Sequence, residues 1–166
     1  IGRDADLAEC RARLADHALL TLTGPGGIGK TRLALAVAHS LQGDFADGVR
    51  VIELSTVAEP ARLAGAVSAA LGIELARNAP PVDVIAGALR EQAVLLLLDN
   101  CEHLLDAAAA LAEAILARAP RVRLLATSQA PLRVAGEQVM RLDPLPLPPA
   151  TSDRDLARAE QYGAMK

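Results

Sequence analysis

The sequence predicts an α/β fold in which a parallel sheet of about five strands is sandwiched between helices. Short aliphatic segments alternate along the chain with longer segments whose apolar residues recur at helical spacing, which is the pattern of βαβ units. The run from Val94 to Leu98 is aliphatic without alternation, which is typical of a strand buried on both faces of a parallel sheet. With 166 residues, the chain is long enough for one domain with a sizeable core.

The amino-terminal half of the chain predicts two strands among three helices. Asp4 is expected to cap the first helix, because its carboxylate can accept the free N–H groups of the first turn. Strands are predicted over residues 19–23 and 49–54, on either side of a largely apolar helix. Pro60 suits the first turn of the next helix, which we expect to end near Gly72.

The carboxyl-terminal half continues the alternation. We predict helices over 82–90 and from Leu104 to Pro120, and strands over 94–98, 122–127 and 138–142. We expect residues 1–147 to form the domain and residues 148–166 to begin a truncated linker toward a further domain. Because the chain starts at Ile1 rather than Met, we expect it to be part of a longer protein.

The composition excludes several classes of protein. The longest unbroken apolar run, Ala93 to Leu98, is far shorter than the roughly 20 residues that cross a bilayer. There is no secretory signal, and Cys10 and Cys101 alone cannot form a disulfide framework, so we expect a cytoplasmic protein without a membrane partner. With a net charge of -3 and only Phe45 and Tyr162 as aromatics, direct nucleic-acid binding by this chain is not expected.

The segment from Gly24 to Thr31 has the pattern of a phosphate-binding loop, G-x-x-x-x-G-K-[ST], between a predicted strand and a predicted helix. Its glycines allow successive N–H groups to point at phosphate oxygens, and the helix N-terminus adds partial positive charge. Lys30 offers a compact charge to the β- and γ-phosphates, and Thr31 offers a hydroxyl to Mg²⁺. An ordinary glycine-rich turn is the alternative. The predicted binding residues of this P-loop NTPase fold are Gly24, Pro25, Gly26, Gly27, Ile28, Gly29, Lys30, Thr31 and Arg32.

Two carboxylates follow the aliphatic strand. Asp99 is the expected second partner of the metal, directly or through a water, although Asp99 or Asn100 could instead cap the helix that begins near Leu104. Glu102 could polarise the attacking water as a general base, or could simply favour the first turn of that helix. The predicted catalytic residues are therefore Lys30, Asp99 and Glu102, and the predicted metal ligands are Thr31 and Asp99.

The residues Thr127, Ser128 and Gln129 end the next predicted strand. From there a side chain could reach the γ-phosphate region of an adjacent site. The alternative is a strand-end cap for the loop that contains Pro131, and the residues alone favour this second interpretation.

The chain resembles the nucleotide-binding domain of the STAND-type signal-transduction ATPases, relatives of the NB-ARC class. The resemblance is greatest to bacterial transcriptional regulators of the LuxR and antibiotic-regulatory (SARP) types, which often carry tetratricopeptide repeats. The segments that carry it are Ile1-Gly2-Arg3-Asp4, LTLTGPGGIGKTRLALAVA from Leu20, LLLLDNCEHLLDAAAAL from Leu95, and LLATSQAPLRVAGEQVMRLDPLPLP from Leu124. They cover most of the chain in the right order.

The resemblance implies bound ATP or ADP with Mg²⁺, with Gly2 and Arg3 near the adenine and Thr127 and Ser128 at the sensor position. It also implies a switch in which the nucleotide controls self-assembly and the packing of downstream helical-lid and winged-helix domains. Such modules usually carry Arg where this chain has Gln129. Because a neutral amide offers no charge to a γ-phosphate, we expect weaker ATP sensing or turnover.

Three functions remain open from the sequence. The first is a regulatory ATP switch with slow hydrolysis, the second is a small P-loop kinase or other catalytic NTPase, and the third is a nucleotide-binding scaffold that does not hydrolyse. A GTPase is disfavoured, because lysine occurs only at positions 30 and 166 and no Asn-Lys-x-Asp run for guanine exists.

Overall fold

The computed structural model describes residues 3–144. Gly2 and the expected linker of residues 148–166 lie outside the described residues. The helices and strands are α1 Asp4–Asp16, β1 Leu19–Thr23, α2 Lys30–Ser40, β2 Val49–Glu53, α3 Leu63–Leu71, α4 Pro81–Ala88, β3 Leu95–Asp99, α5 Leu105–Arg118, β4 Arg123–Ser128 and β5 Glu137–Arg141, with a 3₁₀ turn Pro60–Arg62 before α3. The predicted alternation of strands and helices is confirmed.

The five strands form one parallel sheet in the order β2-β3-β4-β1-β5. The three central strands are buried almost throughout, whereas β2 and β5 at the edges each have one buried residue, Ile52 and Met140. Because all strands run the same way, their carboxyl ends meet at one edge of the sheet, which is where ligands bind in open α/β sheets. The glycine-rich loop follows β1 at that edge.

Helices cover the sheet on both faces, as the unalternating aliphatic strand predicts. Leu96 and Leu98 point to the face where α3, α4 and α5 pack. Leu95 and Leu97 point to the opposite face, which α1 and α2 cover. All four leucines are fully buried, and each contributes about 1.5–3 kcal/mol of hydrophobic stabilisation. Within residues 3–144, no helix is long and apolar enough to cross a membrane.

Two predicted helix starts are wrong in detail. Arg3 occupies the N-cap position of α1 and makes no capping hydrogen bond through its side chain, while Asp4 is already helical. The Asp4 carboxylate therefore acts only through its charge in the first turn. Pro60 opens a 3₁₀ turn, and the α-helix itself starts at Leu63 and ends at Leu71, with Gly72 as its C-cap, near the expected end.

The strand ends at the ligand edge also differ by one residue from the prediction. Asp99 and Ser128 belong to β3 and β4 because the parallel register pairs them with Glu53 and Thr23. The sequence gives no local signal for such pairing, since the partners are distant in the chain. The consequence is that Asp99 is held by the sheet rather than by a loop.

Candidate nucleotide-binding site

The glycine-rich loop joins β1 to α2 through backbone conformations that favour glycine. Gly29 is the N-cap residue of α2 and has φ +97°. Gly24 has φ +151°, and a Cβ at that position would lie 3.2 Å from the backbone oxygen of Leu142. Glycine is therefore required at both ends of the loop, at Gly24 by a close backbone approach and at Gly29 by conformation.

Lys30 is buried and directs its ammonium group into the loop. Nζ donates to the carbonyl oxygens of Gly24 at 2.8 Å and Pro25 at 2.9 Å. An ammonium group has three donors, so one remains free. The loop thus presents a positive charge at the start of a helix, where the helix dipole also attracts anions.

Asp99 accepts hydrogen bonds from two threonine hydroxyls that lie on different elements. The Thr31 Oγ1 of α2 donates to Asp99 Oδ1 at 2.9 Å, and the Thr127 Oγ1 of β4 donates to the same oxygen. The alternative that Asp99 caps α5 is wrong, because the N-cap residue is Leu104. A hydroxyl and a carboxylate in contact form the hard oxygen set that suits Mg²⁺, so Thr31 and Asp99 fit the metal.

Asn100 connects this cluster to Glu102. It has φ +68°, and its N–H donates to Thr127 Oγ1 at 2.9 Å. The amide atom that faces Glu102 is assigned as the nitrogen, because a carboxylate only accepts, and in this orientation it donates to both carboxylate oxygens, at 2.6 and 3.0 Å. Sequence reasoning considered Asn100 only as a helix cap. The signal that could have found it is an asparagine directly after a buried strand, since asparagine tolerates left-handed conformations.

Cys101 lies beside these groups but is chemically inert. Its side chain is fully buried, and burial, followed by the nearby charges of Asp99 and Glu102, raises the pKa of the thiol to about 12. The thiol therefore stays protonated near neutral pH and is not a nucleophile. His103 is turned away, with Nε2 at 2.8 Å from the carbonyl oxygen of Val57.

Two cavities adjoin the loop and share three lining residues, Gly27, Gly29 and Arg32. The first, of about 440 Å³, is lined by Gly26, Gly27, Gly29, Lys30, Thr31, Arg32, Leu35, Asn100, Glu102 and Thr127. The second, of about 340 Å³, is lined by Arg3, Asp4, Leu7, Gly27, Ile28, Gly29, Arg32, Leu33 and Ala36. Both have the size of small-molecule sites, and the second combines apolar side chains with the charged residues Arg3, Asp4 and Arg32.

Arg3 closes the far side of the second cavity. Its guanidinium donates to the Ile28 carbonyl of the loop at 3.0 Å, to the Asp143 carbonyl at 3.0 Å and to the Asp6 carboxylate at 2.8 Å. The position of Arg3 near the adenine, which the resemblance implies, stays a prediction. Gly2 lies outside the described residues.

The three residues at the end of β4 have different environments. Thr127 lines the larger cavity. Ser128 lines neither cavity, and its hydroxyl accepts the Ala130 N–H at 3.3 Å, so the structure supports the strand-end cap for this residue rather than nucleotide binding. Gln129 is exposed, and its Nε2 lies 3.9 Å from the position that a Cβ on Gly26 would occupy.

Comparison with known proteins decides the family. A sequence profile described as an AAA domain matches residues 13–138, from within α1 to the start of β5. The chain belongs to the AAA domain family. It is an AAA-type nucleotide-binding module with the P-loop fold, in agreement with the fold class predicted from the sequence.

Relatives with the same domain are larger proteins. An uncharacterized protein of Mycobacterium tuberculosis is 39% identical over 147 residues, which are 89% of this chain and 37% of that protein. A putative HTH-type transcriptional regulator of the same organism is 38% identical over 132 residues, which are 80% of this chain and 15% of the regulator. The chain thus spans about a third or less of the length of these relatives.

A solved structure also shares the fold. The Signal Transduction ATPase with Numerous Domains (STAND) protein with a tetratricopeptide repeat sensor from Pyrococcus horikoshii superimposes with a TM-score of 0.59 at 18% identity. The match covers 100% of this chain and 26% of that protein. The resemblance to STAND-type regulators noted from the sequence is therefore confirmed by the family, the regulator relative and this fold.

Proposed function

We propose that this AAA domain binds ATP and ADP with Mg²⁺ and serves as a nucleotide-controlled switch in a larger bacterial signalling or transcriptional regulator. The observation that carries the proposal is the convergence of Thr31 and Thr127 on one oxygen of Asp99. It brings the glycine-rich loop and two central strands together around one cavity. The regulator among the relatives supports the biological setting, since the matched domain forms 15% of that protein.

The two cavities divide the nucleotide between them. The larger cavity holds Lys30, Thr31 and Glu102 and suits the phosphates, because its ammonium and the free N–H groups of the α2 N-terminus attract anions. The smaller cavity has apolar walls from Leu7 and Leu33 and suits the adenine. Bound Mg²⁺ supplies neutralisation of phosphate charge, and Thr31 and Asp99 are the residues that would hold it.

Slow hydrolysis of ATP would use Glu102 as the base. Its carboxylate lines the phosphate cavity and can take the proton of a water whose oxygen attacks the γ-phosphorus. The bond from that phosphorus to the bridging oxygen breaks, which gives ADP and inorganic phosphate. Gln129 near the loop offers an amide rather than a positive charge, and this supports low turnover.

A nucleotide-binding scaffold without hydrolysis is the second candidate, favoured by the same exposed Gln129. The two candidates share nucleotide binding and differ in whether Glu102 acts. A comparison of ATP turnover by the natural protein and by Glu102→Gln separates them, because the amide cannot accept the proton of the water.

Nucleotide binding is tested with Lys30→Ala in the natural full-length protein. Calorimetry with ATP and with ADP, each with Mg²⁺, should show at least about a hundredfold weaker binding, because charge-assisted hydrogen bonds worth about 3 kcal/mol are lost. Arg118→Ala is the matched control. It also removes one positive charge, but Arg118 is paired with Asp83 and lines neither cavity. If Lys30→Ala binds as tightly as the control, the site assignment is wrong.

A further inference from the structure

We propose that Asn100 is a positioning residue that orients the Glu102 carboxylate for ATP hydrolysis. The proposal rests on the nucleotide site described above and assigns a role to a side chain that the sequence motif leaves unexplained. Three independent observations carry it: the backbone conformation of Asn100, the contacts of its amide, and the link from its N–H to Asp99.

The backbone at Asn100 lies in the left-handed region. Within residues 3–144, Asn100 and Arg133 are the non-glycine residues with positive φ, at +68° and +63°. Glycine adopts this region most readily, and asparagine tolerates it better than most other residues. Compared with glycine, what asparagine adds at this position is its amide group.

The amide has one clear target. The amide atom that lies 2.6 and 3.0 Å from the two oxygens of the Glu102 carboxylate is assigned as the nitrogen, because a carboxylate only accepts. In this orientation the nitrogen donates to the carboxylate and restrains its position. An ionised carboxylate has about four acceptor positions, which leaves room for a water. Both side chains line the phosphate cavity together with Lys30 and Thr31. The carboxylate is therefore oriented within the compartment where the γ-phosphate would lie.

The backbone of Asn100 is linked to Asp99 through the Thr127 hydroxyl. Its N–H donates to Thr127 Oγ1 at 2.9 Å, and that hydroxyl donates to Asp99 Oδ1. Thr127 is 1% exposed, so the connection is shielded from water. One residue thus fixes the base relative to the carboxylate that would hold the metal. Effective acid–base catalysis needs this kind of fixed geometry, since a misplacement of about 1 Å can cost about a hundredfold in rate.

The test compares Asn100→Gly, Glu102→Gln and the double variant in the natural full-length protein. Asn100→Gly keeps the left-handed backbone and removes the amide, so it should fold. We expect kcat for ATP hydrolysis to fall about tenfold or more, with the dissociation constants of ATP and ADP changed less than about twofold. In the Glu102→Gln background, Asn100→Gly should cause no further loss, because Asn100 acts through Glu102.

Asn100→Asp is the conservative variant that tests donation rather than shape. It keeps the side-chain size but places a second carboxylate against Glu102, so kcat should fall further than in Asn100→Gly. Activity of Asn100→Asp equal to that of the natural protein overturns the proposal. An unchanged or increased kcat in Asn100→Gly also overturns it, as does a further loss in the Glu102→Gln background.

The outcome is separable from the fate of the proposed function. A natural protein that binds nucleotide but hydrolyses ATP no faster than Glu102→Gln overturns the role of Asn100 and leaves nucleotide binding in place. Failure of Lys30→Ala to weaken binding, in contrast, removes the nucleotide site on which both proposals stand.

Discussion

Two strand-to-helix junctions meet at the ligand edge of the sheet, and they are built in different ways. In the junction from β1 to α2, Lys30 bonds the carbonyls of Gly24 and Pro25, which lie six and five residues before it. In the junction from β3 to α5, Asp99 is bonded by Thr31 and Thr127, which lie 68 and 28 residues away. The hydrogen bonds of Lys30 in the first junction are local in the chain. The hydrogen bonds of Asp99 in the second junction can form only once the sheet has formed.

The two junctions therefore differ in whether their hydrogen-bond partners are near or distant in the sequence. The glycine-rich loop can take its shape from its own residues, and it offers a cation. The carboxylate junction depends on β4 for the hydroxyl that links Asp99 to Asn100. We therefore expect substitutions in the first junction to change ligand affinity and local backbone strain. Substitutions in the second junction should lower the free energy of unfolding, because they weaken the sheet.

The largest effect is expected from Thr127→Val. Valine has the same shape but no hydroxyl, so the Asn100 N–H and one oxygen of Asp99 lose a buried partner. The free energy of unfolding in urea should fall by about 1–3 kcal/mol.

Thr31→Val is the matched variant, because its hydroxyl donates to the same oxygen from an exposed side chain. Its unfolding free energy should change by less than about 0.5 kcal/mol, while the gain in nucleotide affinity on adding Mg²⁺ should shrink. Equal losses of stability in the two variants would show that the two junctions do not differ in this way.

A smaller effect is expected from Gly29→Ala in the local junction. Nothing lies within 4 Å of the added Cβ, so the cost comes from φ +97° alone. Unfolding should become about 1–2 kcal/mol easier. Gly65→Ala inside α3 is the control, since it also has open space and no positive φ, and should stabilise by about 0.5–1 kcal/mol. If Gly65→Ala is also destabilising, the stability cost at these glycines comes from the space around the added Cβ rather than from the backbone conformation.

The smallest effect is expected from Gln129→Arg, which places a positive charge near Gly26 of the glycine-rich loop. The side chain is exposed, and its Nε2 lies 3.9 Å from the position that a Cβ on Gly26 would occupy, so the preference for ATP over ADP should rise about threefold to fivefold in calorimetry. Gln129→Glu should shift the preference the other way. No shift in either variant would show that residue 129 does not face the phosphates.

The local junction could be predicted from the sequence because the hydrogen bonds from Lys30 to Gly24 and Pro25 span only six and five residues. The motif from Gly24 to Thr31 specifies the loop, and the helix that follows it starts at Lys30 as the motif requires. The aliphatic run up to Leu98 likewise predicts a central strand, since burial on both faces removes any need for alternation. These features follow from composition and spacing alone.

The long-range junction could be predicted only in part. Asp99 and Thr127 were recognised as candidates, but their hydrogen bond depends on β3 and β4 being neighbours in the sheet. Ser128, one residue after Thr127, points to the other face and caps the strand end, and spacing alone does not reveal which of the two faces the ligand. The amide of Asn100 was missed because its partner is decided by a left-handed turn.

The chain departs from the sheet against the glycine-rich loop. The Leu142 N–H donates to the Thr23 carbonyl at 2.8 Å, and the Leu142 oxygen lies 3.2 Å from the place of a Cβ on Gly24. Arg3 bonds the carbonyls of Ile28 and Asp143 with one guanidinium. The glycine-rich loop and the segment of Leu142 and Asp143 are therefore packed directly against each other. A change in the shape of the loop would alter the contacts that hold Leu142 and Asp143.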